Sequence, residues 1–255
     1  MLDWKTDGPL MGVATVLTVG DYYSAGRITA PMSAELKGLT SESINAIDII
    51  AVGCLSDAAD LRSDVGLVLS AAAGAIPVGL ISLKAGSPAN FVSEFTTLSV
   101  MFLETNLISY QATGLVKNVT RRYRPEVYHA EFTPDELPEA ELIDLRESFF
   151  SRHVSVAAAN SFFMAKVFSD YYPDSKWSGF VWTGAAVLPA WVGLERLLAG
   201  KHFPTDIVAG YVFGAACGYL IPHFHKRVDN ESAVSFQASP FAGPYGSGAY
   251  ISLRF

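Results

Sequence analysis

The chain has 255 residues, half of them hydrophobic and 17% charged, with a net charge of −7, two cysteines and a mean hydropathy of +0.28. An average soluble domain carries about 25% charged residues. This composition excludes disorder, a collagen-like repeat and a disulfide-stapled miniprotein, and leaves a soluble helical domain or a compact membrane bundle. The net charge is local. Residues 131–147 hold Glu131, Asp135, Glu136, Glu139, Glu141, Asp144 and Glu147 against Arg146 alone. No basic stripe runs along the chain, so nucleic acid is not a predicted partner, and no protein partner can be inferred.

Asp7-Gly8-Pro9 reads as a helix start, with Asp7 as cap and Pro9 in the first turn, leading into charge-free Leu10–Val19. Ser43–Asp60 reads as an amphipathic helix carrying Ile44, Ile47, Val52 and Leu55. Gly66–Leu83 has no charge over 18 residues, and Phe95–Val116 has only Glu104. His153–Phe168 is a helix of small residues, Trp177–Leu194 is another charge-free run of 18, and Ile207–Ile221 is one of 15. A membrane-spanning helix needs about 20 mainly apolar residues. Gly66–Leu83 and Trp177–Leu194 meet that length, and six such segments in all predict an all-α bundle with a six-helix core, embedded in a membrane. Residues 1–228 are read as a single helical domain. Residues 229–255 are read as a tail, in which Ala249, Ile251, Leu253 and Phe255 alternate with polar residues as in a strand. Cys54 and Cys217 lie in apolar surroundings, and their pairing is left open.

Three blocks carry chemistry. The first is Lys117-Asn-Val-Thr-Arg121-Arg122-Tyr-Arg124-Pro125, at the end of the third apolar helix. Lys117 and Arg124 are two helical turns apart, with Arg121 between them on the same face and Pro125 as the helix stop. Cations also suit a helix C-terminus without any ligand. The second block is Phe150-Ser151-Arg152-His153. Ser151 is a natural N-cap, and the backbone N–H groups behind it form a ready anion site. The third is Glu195-Arg196-Leu-Leu-Ala-Gly200-Lys201-His202-Phe-Pro204-Thr-Asp206. Gly200 permits the turn, Pro204 opens the next helix, and Asp206 can reach back to orient His202.

In this order and with these spacings, the blocks resemble the three motifs of the type 2 phosphatidic acid phosphatase superfamily. That superfamily includes membrane lipid phosphate phosphatases, soluble acid phosphatases and vanadium-dependent haloperoxidases. The resemblance covers about residues 43–224, and the helix order looks most like the six-helix membrane branch. It implies a nucleophilic His202 that forms a phosphohistidine, oriented by Asp206, and a His153 that protonates the leaving oxygen. It also implies that Lys117, Arg124, Arg196, Ser151 and the backbone of Arg152 hold the phosphoryl oxygens. No metal and no cofactor is implied. The substrate implied is a lipid phosphate or pyrophosphate, the setting a bacterial-type cell envelope, and the site's face periplasmic or extracellular. Basic residues balance between the two faces once the phosphate-site cations are set aside, so charge does not orient the bundle.

Two positions depart from the family pattern. Arg152 stands where the family has glycine, adding bulk and charge at the site. Glu195 stands where the family has serine, placing a carboxylate where it competes with the substrate anion for Arg196. Two further readings follow: a haloperoxidase using bound vanadate, or a relative whose decayed site binds phosphate or a lipid headgroup without turnover. The acidic stretch joins the first block to the second, so it must lie over or beside the pocket, as a solvated loop or as a lid that selects headgroups.

Overall fold

The computed structural model describes Leu2, residues 4–130 and 132–226, and the backbone of 235–243 and 246–254. Glu131, Phe255 and the boundary expected after residue 228 lie outside the described residues. The chain divides into a helical unit, Leu2–His225, and a second unit that begins at Lys226.

Among the described residues the helical unit holds eight α-helices: α1 (Trp4–Ala25), α2 (Ser33–Lys37), α3 (Asp57–Leu83), α4 (Pro88–Thr120), α5 (Glu139–Asp144), α6 (Arg152–Tyr171), α7 (Ser178–Leu198) and α8 (Pro204–His225). The six long ones are the six apolar segments of the sequence. Their starts are chemically marked. Ser56 Oγ accepts from Ala59 N at 3.3 Å to open α3. Ser87 Oγ accepts from Asn90 N at 3.2 Å, with Pro88 at the first position of α4. Ser151 caps α6 through Val154 N. Each satisfies an amide that has no partner inside its helix.

Helix α6 is the hub, packing against α8, α7, α3 and α4, while α1 lies on α4. Val154, Ala157, Ala158, Ala159, Phe163 and Ala165 are fully buried in it. The α6–α8 seam is close because both helices present small groups every fourth residue. A Cβ on Gly210 would stand 2.6 Å from the Ser151 carbonyl oxygen, and one on Gly214 would overlap the Ser155 carbonyl. Backbones can approach this closely only where side chains are missing. The seam matters because it fixes the start of α6, with Ser151 to His153, against the start of α8, with Asp206.

Two helices, α3 and α8, are long and apolar enough among the described residues to cross a membrane. Only 39% of the apolar window of α3 and 28% of that of α8 is buried in the protein. Val68, Leu69, Ile76 and Leu80 on α3 and Val208 and Val212 on α8 face outward. An apolar belt of this kind suits lipid better than water. The 18-residue run in α7 is not among these helices, because Ser178, Gly179, Gly184, Pro189 and its tryptophans dilute the aliphatic residues.

Four local expectations are corrected. Residues 43–56 are not an α-helix. Asn45 Oδ1 accepts from the amides of Ile47 (2.9 Å) and Asp48 (3.0 Å), and Gly53 takes a left-handed φ of 93°. These leave short 3-10 turns until α3 begins at Asp57. Helix α1 starts at Trp4, so Asp7 is inside it, and its carboxylate reaches His225 instead of capping. Helix α4 ends at Thr120, five residues before Pro125, where Arg121 adopts a left-handed φ of 48°. Arg121 therefore leaves the predicted cation face, and it bonds to the carbonyls of Asn118 and Arg27. Both cysteines are free thiols.

In the second unit, β1 (Ser235–Gly243) pairs antiparallel with β2 (Gly246–Arg254), in a register that sets Ala238 opposite Ile251. The tail alternation marks β2. Pro240 and Gly243 hide β1 from a pattern reading, since neither favours a strand interior.

Candidate active site

Helix ends distant in sequence meet around a cavity of about 280 Å³. Lys117 comes from the last turn of α4, Arg124 from the loop beyond it, and Arg152 and His153 from the first turn of α6. Arg196 comes from the end of α7, and Lys201 and His202 from the α7–α8 loop. Asp60, Asp64, Asp144 and Glu147 complete the lining. Lys117, Arg124, Arg152, His153, Arg196 and His202 all line this one cavity. Ser151 and Asp206 do not line it; both are fully buried.

Gly200 turns the chain between α7 and α8 with a φ of 70°, and its carbonyl accepts from Glu126 N at 3.0 Å. That bond ties the His202 loop to the loop carrying Arg124. His202 is 1% exposed. Its Nδ1 lies 2.8 Å from the Ser148 carbonyl oxygen, an acceptor only, so Nδ1 carries the proton and Nε2 bears the lone pair. Burial, followed by the positive charges of Lys117, Arg196 and Arg124, holds His202 well below the usual imidazole range. A neutral imidazole with an unprotonated Nε2 is what a nitrogen nucleophile requires.

Asp206 does not orient His202 directly. Its Oδ2 is 3.9 Å from Nδ1, beyond hydrogen-bond reach. It accepts instead from Ser148 Oγ at 2.5 Å, Phe203 N at 2.9 Å and Arg122 Nη1 at 2.5 Å. Asp206 therefore steadies Ser148, and the Ser148 carbonyl holds the imidazole. Arg122 lies 4.2 Å over the Phe203 ring and also donates to Asp48 at 2.6 Å. Burial pushes the Asp48 carboxyl up, but hydrogen bonds from Arg122, Thr205 and Asn45 outweigh it and hold the group below the usual carboxylate range. Sequence reading counted Arg122 among the local cations without assigning this bracing role.

The cavity cations are partly occupied by carboxylates. Arg124 Nη2 donates to Asp144 at 2.6 Å, and Arg196 Nη1 to Asp60 and to Ser63 Oγ at 3.2 Å. His153 Nε2 meets Asp64 Oδ1 at 2.9 Å. The Nε atoms of Arg124, Arg152 and Arg196 are buried without a hydrogen-bond partner. A buried guanidinium N–H without an acceptor is costly, and three such donors belong to residues around one cavity. Asp60 and Asp64 were missed by sequence reading. Their signal was present: two acids at i and i+4 before a charge-free run, one turn apart on the same helical face.

Neither departure from the family pattern obstructs the cavity. The Arg152 guanidinium stacks 4.3 Å over the Tyr110 ring and donates to its hydroxyl at 3.2 Å. Glu195 is engaged away from Arg196: its Oε2 accepts from Arg62 Nε at 3.0 Å and its Oε1 from Trp191 Nε1 at 3.1 Å, and it does not line the cavity. The acidic stretch does flank the cavity, through Asp144 and Glu147.

The PAP2 superfamily model matches residues 97–229. A solved structure described as the first transmembrane PAP2-type phosphatidylglycerolphosphate phosphatase, from Bacillus subtilis, has a similar fold. The TM-score is 0.50 at 22% identity, and the match covers 85% of this chain and 98% of that one. No curated protein matches the chain significantly.

Proposed function

The chain belongs to the PAP2 superfamily, and from that premise we propose that it is a membrane phosphatase acting on a lipid phosphate or pyrophosphate through a phosphohistidine. The observation that carries this reading is the set of three buried, unpartnered guanidinium Nε donors around the same cavity as a neutral, carbonyl-anchored histidine. Phosphoryl transfer needs positioning and charge neutralisation. Arg124 and Arg196 supply fixed positive charge, Lys117 supplies a third nitrogen donor, and the α6 N-terminus behind Ser151 supplies oriented amides.

His202 Nε2 attacks phosphorus, forming the N–P bond as the bond to the lipid oxygen breaks. His153, whose Nε2 lies 2.9 Å from Asp64 Oδ1, donates a proton to that oxygen. Water then attacks the phosphohistidine, His153 takes its proton, and inorganic phosphate leaves with His202 regenerated. Asp206 is a positioning residue acting through Ser148. Phosphatidic acid, phosphatidylglycerolphosphate, an isoprenyl pyrophosphate and a lipid A phosphate share the required headgroup chemistry, presented from the periplasmic or extracellular face.

The test is phosphate release by the purified protein in detergent, across these lipids and soluble monoesters. Release from a lipid substrate, blocked by vanadate and lost in His202→Ala, supports the reading. Unchanged release in His202→Ala overturns it, and so does release confined to soluble esters. Halide oxidation with vanadate and peroxide, without phosphate release, supports the haloperoxidase alternative.

A further inference from the structure

Thirteen residues before Lys117 on α4, about 20 Å along the helix, Glu104 meets two residues from other helices. His225, at the far end of α8 from the cavity, has Nε2 3.0 Å from Asp7 Oδ1 and 3.4 Å from Glu104 Oε2. One ligand atom from each of the three residues lies within 4.8 Å of the others. Glu104 is 1% exposed, and neither of its carboxylate oxygens has a hydrogen-bond partner.

The tautomer of His225 decides what this cluster can hold. Its Nδ1 lies 2.8 Å from the Ile221 carbonyl oxygen, so Nδ1 is the donor. In the neutral ring the Nε2 lone pair then points at two carboxylates, which is three electron donors converging on one point. A doubly protonated ring would bond to Asp7 and pair with Glu104 Oε2 only at 3.4 Å, still leaving Glu104 Oε1 buried without a partner. A divalent cation resolves both problems. In a tetrahedral zinc site with nitrogen and oxygen ligands at about 2.0–2.2 Å, neighbouring ligand atoms stand roughly 3.3 Å apart, close to the two separations found here. A backbone carbonyl on the far nitrogen of a ligating histidine is the usual outer support.

We propose that Asp7, Glu104 and His225 form a binding site for a divalent transition-metal ion of the zinc class, separate from the phosphate cavity. The ion bridges α1, α4 and α8. Its role is structural: it pins the first turns of α1 to the end of α8 and neutralises carboxylates withdrawn from water.

The experiment uses the untagged full chain in detergent, stripped with chelator and titrated with Co²⁺ and Zn²⁺ alone. One equivalent of Co²⁺ with the intense visible bands of four-coordination is the expected result, together with a higher melting temperature on Zn²⁺ addition that chelator reverses. Uptake should be lost in Glu104→Gln and in His225→Ala, and kept in His153→Ala and His202→Ala. X-ray absorption of the Zn²⁺-loaded wild type should show one imidazole among oxygen ligands, and this readout needs no variant to fold. No uptake by the folded wild type overturns the proposal. So does uptake unchanged in folded Glu104→Gln, uptake lost with the cavity histidines, or a spectrum with two imidazoles.

Discussion

Two histidines on either end of α8 are anchored alike and surrounded oppositely. His202 and His225 each place Nδ1 2.8 Å from a backbone carbonyl oxygen, leaving Nε2 as the reactive atom. Around His202 stand Lys117, Arg124 and Arg196. Around His225 stand Asp7 and Glu104. The same side chain, held the same way, thus faces basic side chains at one end and carboxylates at the other. The neighbours set the chemistry.

The largest effect should come from removing the first imidazole. His202→Ala should lower phosphate release by at least about 10⁴-fold while leaving Co²⁺ uptake at the other end intact, measured on the same preparation. Arg196→Ala should cost about 10²–10³-fold in kcat/KM, since it removes one of the buried donors without touching His202. Gly214→Val attacks the seam that carries both sites. Overpacking against the Ser155 carbonyl should destabilise the fold by about 1–3 kcal/mol, seen as a lower melting temperature, with both activities reduced together. If only one site is lost in that variant, the two ends of α8 are not coupled through the seam.

A pH test separates the two surroundings further. His202 is depressed below the ordinary imidazole value of about 6.5. The unfolded chain therefore binds this proton more readily than the folded one. The stability contribution of a neutral His202 is complete above pH 6.5 and declines as pH falls from there toward the folded value. If His202 is the proposed nucleophile, the acid limb of kcat assigned to it should likewise lie under 6.5. An acid limb centred at 6.5 or above would contradict the cationic surroundings described for His202. The smallest effect should be Glu195→Ser. This carboxylate is engaged by Arg62 and Trp191, so kcat/KM for the best lipid should change by less than about threefold. A large rise would mean that Glu195 does compete for Arg196.

Much of the bundle was legible in the sequence, because apolar runs longer than a helix turn have few other ways to satisfy their backbone. The errors came where short polar contacts overrode periodicity. Asn45 closed a turn inside an apparently amphipathic stretch, and Arg121 ended α4 before the proline did. The candidate site was legible as a set of charged types at helix ends. Its inner bracing was not, because Asp206 grips Ser148 across 58 residues and Arg122 grips Asp48 across 74.

By itself, then, the sequence determined the six long helices, the order of the three charged blocks and the residue types able to hold a phosphate. The helices follow from local periodicity, and the phosphate reading follows from the resemblance of the three blocks to the family motifs. Tertiary structure alone decided that Ser148 rather than Asp206 holds His202, that Asp60 and Asp64 enter the cavity, and that Glu195 turns away. It alone brought Asp7 to His225, 218 residues apart. Such pairings depend on which helix faces meet, and the small residues of the α6–α8 seam set that meeting by how closely two backbones can approach.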